Sequence, residues 1–203
     1  MFLVTLLFIN FQQSRASEMR SVPKYKMEID LEKIKKFAEK REDENWEFRT
    51  FLKGYDGRNL DSMVHKLVQK YSDSIDCTAC GNCCIEIQPI LKKNDINALS
   101  KSLNISPIQF KKEYVQKDKD GDDVFTQLPC PFLSDNKCSH YDSRPSACKS
   151  FPHIHKKHFT ARLIGVMHNY SVCPIVFNVY EELKNKLKPD FIEFQEIFGE
   201  FDY

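Results

Sequence analysis

Glycine is scarce in this chain, with 6 in 203 residues. Neither a G-x-G-x-x-G nor a P-loop pattern occurs. A nucleotide cradle built from the N–H groups of a glycine loop is therefore excluded. An H-E-x-x-H helix is missing too, and no convincing Ser-His-Asp order stands out. Triads are recognised by geometry and not by position, so this second absence weighs only modestly against a hydrolase. Charge of one sign is lacking: 30 basic residues face 29 acidic ones, for a net +1. Nothing global attracts the chain to nucleic acid or to an anionic membrane, and neither is expected as a partner. Basic clusters such as Lys33-Lys35-Lys36 and Lys156-Lys157 read as solvated faces. Long apolar runs are missing as well. The stretch from Phe2 to Ile9 falls well short of the about 20 residues that a bilayer span takes.

That N-terminal run admits two readings. It has the length of a secretory h-region, with Ala16-Ser17 near a cleavage site, but no Lys or Arg precedes it. The preferred reading is a start placed too far upstream, with Met19 or Met27 as the true first residue. Residues 1–27 are then an extension, 28–188 a metal-binding domain, and 189–203 a tail packing on that domain. No repeat or low-complexity linker divides the chain, and 41% apolar residues, 16 of them Phe, suffice for a sizeable core.

What the chain has in excess is cysteine, 8 in all. Four of them crowd into Cys77-Thr78-Ala79-Cys80-Gly81-Asn82-Cys83-Cys84. Packing alone never needs that density, since a buried free cysteine is a small hydrophobe that Ala or Val could replace. Two Cys-x-x-Cys steps share Cys80, and such a step lets two thiolates converge on one ion. Gly81 lets the backbone bend so that N–H groups can face sulfur. The spacing favours thiolates on metal over a disulfide framework. Cys130, Cys138, Cys148 and Cys173 are dispersed, so the eight could fill two four-coordinate sites or one multinuclear cluster. Cys77-x-x-Cys80-x-x-Cys83 is the opening of a bacterial ferredoxin run, which then wants Cys-Pro; both Cys130 and Cys173 precede proline. Arg144 and Lys149 near Cys148, with N–H groups of Gly81 and Asn82, are candidates to offset thiolate charge. His140 and His153 are alternative ligands whose plainer role is support or surface; His65 reads as a boundary histidine.

The rest of the chain reads as helices with short extended pieces. Asp30 caps a helix carrying Leu31, Ile34, Phe37 and Ala38, and one long helix or two run to Gly54. A second unit spans Asn59 to Asp73. Ile85 and Ile87 alternate with Glu86 as in a strand. Asn94 or Asp95 caps a helix with Ile96, Leu99 and Leu103. Ser106-Pro107-Ile108-Gln109 starts another, carrying Ile108, Phe110, Tyr114 and Val115. Asp118 to Asp123 lacks the glycine and glutamate positions of a calcium loop and reads as a turn before the strand Val124–Thr126. A hairpin is expected with Cys130 and Cys138 on its arms, then a short helical turn presenting Cys148. Alternation at Phe159, Ala161, Leu163 and Gly165 suggests a strand pair. Cys173-Pro174 opens the last strong helix, which Pro189 stops, and the aromatics Phe191, Phe194, Phe198 and Phe201 follow at roughly helical spacing. The expected class is α-rich α+β, with helices surrounding short β-hairpins and cysteine-rich loops held by metal.

CTACGNCC, CPFLSDNKCSHYDSRPSACKSFP and Cys173-Pro174 together resemble the zinc- or iron-chelating cysteine-cluster family of bacterial proteins, the YkgJ-like family with its CxxCxxCC motif. The segment Asn45 to Lys53 is similar as well, and the likeness extends over roughly Leu31 to Lys188. It implies a cytoplasmic protein whose eight cysteines bind zinc or an iron–sulfur cluster, without supplying a reaction. Three readings follow: a metal-binding protein without catalysis of its own, an iron–sulfur electron-transfer component, and a thiol-redox protein. A related cluster in flagellin lysine methylases adds an enzymatic alternative, but no extra domain for a protein substrate and methyl donor is evident.

Overall fold

A computed structural model of the chain describes residues 25–55 and 57–198. Most of the expected N-terminal extension and the end of the tail, including Phe201, lie outside the described residues. The fold is α-rich α+β, with two short antiparallel hairpins among the helices.

Six helices make the frame. Helix α1 (Leu31–Lys40) starts where the Asp30 carboxylate accepts from the N–H groups of Glu32 and Lys33, satisfying donors that the first turn leaves unpaired. A break at Arg41 separates it from α2 (Glu42–Gly54), and α3 (Gly57–Ser72) follows. Further along the chain come α9 (Leu163–Tyr170), α10 (Pro174–Lys186) and α11 (Lys188–Phe198). Helix α10 lies against α3, and Ile175, Val176, Val179, Tyr180, Leu183 and Leu187 are all buried. Phe48 sits among Phe51, Tyr180 and Phe191, its ring edge-on to the last two at 5.3 and 5.0 Å. Phe194 packs partly buried on this core, while Phe198 is exposed.

A second, smaller core holds the insertion between α3 and α9. It gathers Leu91, Ile96, Leu99, Phe110, Phe125 and Phe132 from α6 (Lys93–Ser102), α7 (Pro107–Tyr114) and the strands β1 (Val115–Lys117) and β2 (Asp123–Phe125). Ser106 caps α7 by accepting from the Gln109 N–H at 3.1 Å, with Pro107 in the first turn. Strands β3 (Leu133–Ser134) and β4 (Lys137–Cys138) form the second hairpin, turned by Asp135 and Asn136 at positive φ.

Several expectations are corrected. Ile85 belongs to a short helix, α5 (Asn82–Glu86), and not to a strand. Phe159 to Gly165 is likewise helical, a 3₁₀ turn at Phe159–Arg162 running into α9. The buried set there is Phe159, Leu163, Val166 and Tyr170, a helical spacing that overrides the two-residue alternation. Val115 leaves α7 for β1, and Ile108 is 83% exposed rather than inward. Asp95 lies inside the first turn of α6 and does not cap it from outside. Pro189 sits in the first turn of α11, where proline is tolerated, after α10 has already ended at Lys186.

Candidate metal centre

The cysteine-rich loop folds as two short helices around one glycine. Asp76 accepts from the Thr78 N–H at 2.8 Å and from its hydroxyl at 2.6 Å, which starts α4 (Cys77–Cys80). Residues three apart on a helix share a face, so Cys77 and Cys80 stand side by side. Gly81 then adopts φ +62, ends α4 and begins α5. A Cβ at Gly81 would also sit 2.9 Å from the Asn136 carbonyl oxygen in the β3–β4 turn. Glycine is thus required twice, for the left-handed backbone and for the close approach of the hairpin.

Two hydrogen bonds join this loop to distant parts of the chain. The buried Asn82 amide donates to the Val172 carbonyl at 2.8 Å, bringing up the residue before Cys173. The Cys130 N–H donates to the Cys84 carbonyl at 2.7 Å. Cys130 is tied into its own turn by the Leu133 N–H, which donates to its carbonyl at 3.0 Å, and Leu133 stands opposite Cys138 across the hairpin. Phe132, stacked among Phe110, Tyr114 and Phe125, anchors this turn in the second core. Cys148 lies in α8 (Ser146–Ser150), whose start is held by Asp95: its carboxylate accepts from the Ser146 N–H at 2.9 Å and hydroxyl at 3.1 Å. Cys173 immediately precedes Pro174, buried in the first core. Cys130 and Cys138 pack against the second core, so the cysteines bridge the two.

All eight thiols are free. Cys77 is exposed, Cys173 buried, and the remaining six are partly covered. Burial pushes the Cys173 thiol up to about 12, with Cys77 and Cys80 adding to the rise. Burial pushes Cys148 up to about 12, reinforced by Cys84, Cys130 and Cys138. Cys130 rises to about 11, again chiefly through burial. Cys77 and Cys138 are raised for the same first cause. Cys83 and Cys84 perturb each other as neighbours: Cys83 is raised by Cys84 and by burial, and Cys84 is lowered by Cys83 with help from Arg144. The Arg144 charge also works to lower Cys77, Cys138 and Cys148. Its guanidinium lies 3.6 Å from the Tyr141 ring centre, and its Nη1 is buried without a hydrogen-bond partner.

The donor set therefore suits a soft or borderline cation: eight thiols, backbone donors to sulfur, and one cation with a spare N–H. Among the described residues, however, no three Cys, His, Asp or Glu side chains stand close enough to hold a metal ion. Neutral thiols have no mutual attraction to draw them closer, and each must give up its proton before it ligates.

The supporting groups differ in part from those expected. Nearby backbone N–H groups lower the thiols against the effect of burial: Phe132 at Cys130, His140 at Cys138, and Val176 and Ile175 at Cys173. Each donor follows its cysteine by two or three residues, a local signal readable in Cys-x-x. Asn82 contributes through its side chain to Val172, and Gly81 through its shape. Lys149 is exposed, leaving Arg144 as the cation facing the sulfurs. His140 Nδ1 pairs with the Ser102 hydroxyl at 3.0 Å, and His153 Nδ1 with the Ser150 hydroxyl at 3.0 Å. His65 is partly buried on α3, in a pocket with Asp61 and Lys157 remote from the cysteine loop. Asp118 accepts from the N–H groups of Asp120 and Asp122 and shapes the β1–β2 turn.

Residues 76–164 match the model of the CxxCxxCC family, described as a "Putative zinc- or iron-chelating domain". The match takes in seven of the eight cysteines; Cys173 and the resembling segment Asn45 to Lys53 lie outside it. No curated protein and no solved structure matches the chain.

Proposed function

From the premise that residues 76–164 belong to the CxxCxxCC family, we propose that this chain is a metal-binding protein that holds zinc or an iron–sulfur cluster through Cys77, Cys80, Cys83, Cys84, Cys130, Cys138, Cys148 and Cys173. One observation carries the reading. Eight free thiols lie on segments drawn from two separate cores, and the Asn82–Val172 and Cys84–Cys130 hydrogen bonds join those segments. A chain that used cysteine only as a small hydrophobe would have no reason to collect them in one place.

Zinc bound by four thiolates forms a closed structural site and contributes folding energy, on the order of 10 kcal/mol in small peptides. The residues around the thiols are equipped for this charge. N–H groups of Phe132, His140, Ile175 and Val176 favour the thiolates of Cys130, Cys138 and Cys173, and Arg144 brings a positive charge. Anaerobic purification followed by elemental analysis and a visible spectrum tests the proposal. Stoichiometric zinc in a colourless protein supports the structural reading. Iron with inorganic sulfide moves it to the iron–sulfur, electron-transfer reading. A folded chain without metal overturns both.

One observation favours a second reading. The adjacent free thiols Cys83 and Cys84 of α5, both partly covered and with Cys84 lowered by Cys83 and by Arg144, are disposed as a reactive dithiol. That thiol-redox reading requires a metal-free protein whose activity responds to reductant.

A further inference from the structure

The first core carries a cavity that no cysteine lines. It is a cleft of about 620 Å³ between the segment Tyr25–Glu28 and helices α1, α10 and α11. Small-molecule sites take roughly 300–1,000 Å³. We infer that this cleft binds a small organic carboxylate with an apolar body, its carboxylate on Arg41 and its body against Met27, Phe37, Phe177 and Ile192.

One wall of the cleft is a strap without regular secondary structure. The fully buried Asn178 of α10 fixes it in place. Asn178 Oδ1 accepts from the Tyr25 hydroxyl and from the Glu28 N–H, each at 2.9 Å, and Nδ2 donates to the Glu28 carbonyl at 2.6 Å. Tyr25 also sets its ring edge-on to Tyr71, with centroids 6.4 Å apart. A wall tied down in this way is ordered before a ligand arrives, so little entropy is lost on binding.

The floor is aromatic. Phe37 and Phe177 stack with centroids 6.0 Å apart and planes 24° from parallel. Met27 and Ile192 line the same cleft and remain 39% and 42% exposed. An apolar body lying there would take this surface out of water.

Charge selects the other end of the ligand. The acids of the cleft are met within the protein. Glu181 is held by Lys184 at 2.7 Å, and Glu44 by the same lysine at 3.0 Å. Glu28 accepts from the N–H groups of Ile29 and Asp30, each at 3.0 Å. The cations are less committed. Lys26 and Lys188 line the cleft and form no ion pair among the described residues. The Arg41 side chain is 34% exposed, against 8% for Glu181. Its Nη1 serves Glu181, and its guanidinium stands 4.9 Å from the Phe37 ring centre. A guanidinium carries further N–H donors in a planar fork that matches a carboxylate. A head on Arg41 therefore leaves the body over Phe37, and the cationic surplus favours an acid over an amine.

Calorimetric titration of the purified full chain with decanoate tests the assignment. Saturable binding is expected with a Kd below about 1 mM. Decylammonium, which reverses the charge, and acetate, which lacks the body, should bind at least about tenfold more weakly. Ile192→Glu introduces a carboxylate at an exposed position, so the fold is kept and decanoate affinity should fall about tenfold or more. Lys26→Gln combined with Lys188→Gln should weaken decanoate about threefold and flatten its salt dependence. Arg41→Gln should weaken it about tenfold; if that variant loses its helical signal, because Glu181 is left short of a partner, the other two decide. Absence of saturable binding, equal binding of decylammonium, or unchanged affinity in any variant that stays helical overturns the site. Each of these failures leaves the metal-binding reading standing, because no cysteine takes part.

Discussion

At the scale of single residues, the cysteine loop is shaped by groups other than the thiols. Gly81 combines φ +62 with a contact that leaves no room for a methyl group. Gly81→Ala is expected to destabilise the metal-free protein by about 1–3 kcal/mol, read from its urea midpoint, and to weaken metal binding although every thiol remains. Asp95 is comparable. Its carboxylate bridges the start of α6 to Ser146 and thereby sets the position of Cys148. Asp95→Ala should cost about 1–2 kcal/mol and reduce metal occupancy, measured by elemental analysis; unchanged occupancy would show that α8 finds its place without this link. The thiol positions themselves are legible as spacing in the sequence. The Asp95–Ser146 link is not, because Asp95 reads locally as a helix cap and its partner is remote in the chain.

At the scale of elements, caps and breaks were largely written locally. Asp30 and Ser106 accept from N–H groups within a few residues and Pro174 presets the first turn of its own helix, so these helices begin where the sequence indicates. Ile85 and Phe159–Gly165 fold as helix while Ile87 is extended, because a short apolar run fits both periods until its burying partner is known. The turn at Phe159 carries a pH prediction. Asp61 on α3 accepts from the N–H groups of His158 and Phe159 at 2.8 and 2.9 Å. Partial burial works to raise this carboxyl, but the two N–H bonds prevail and hold it below its usual value. A lowered folded pKa means that the stabilisation is complete above the ordinary aspartate range, about 4, and is lost as pH falls through the folded value. Asp61→Asn should therefore flatten the acid limb of a stability–pH curve measured by denaturant midpoints. An unchanged slope would show that other carboxylates account for the limb.

At the scale of the molecule, two cores are tied by the cysteine segment, and the first has a buried charge network of its own. Lys184 donates to Glu181 at 2.7 Å, Glu44 at 3.0 Å and the Asn45 side-chain Oδ1 at 2.7 Å, while Arg41 and Tyr170 complete the coordination of Glu181. Lys184→Ala strips a buried carboxylate of one partner and should cost about 3 kcal/mol or more by denaturation, whereas replacing Lys184 and Glu181 together by Met and Leu should cost less. Metal removal is expected to act on the other side. With the first core intact, a chelator should leave most helical signal in place while hydrogen exchange accelerates in the Asn82–Glu86 helix and the β3–β4 hairpin. Equal acceleration across α3 and α10 would show that the frame, too, depends on metal.

The sequence by itself determined the chemistry, because thiol number and Cys-x-x spacing are local properties and decide what a loop can ligate. It determined the helix starts at Asp30, Ser106 and Pro174 for the same reason. Only the tertiary structure decided which thiols are neighbours. That outcome rests on Asn82 reaching Val172, on Cys84 receiving Cys130, and on the hairpin closing over Gly81. Such pairings are settled by how two hydrophobic cores meet, and no periodicity within a segment encodes where its distant partner will lie.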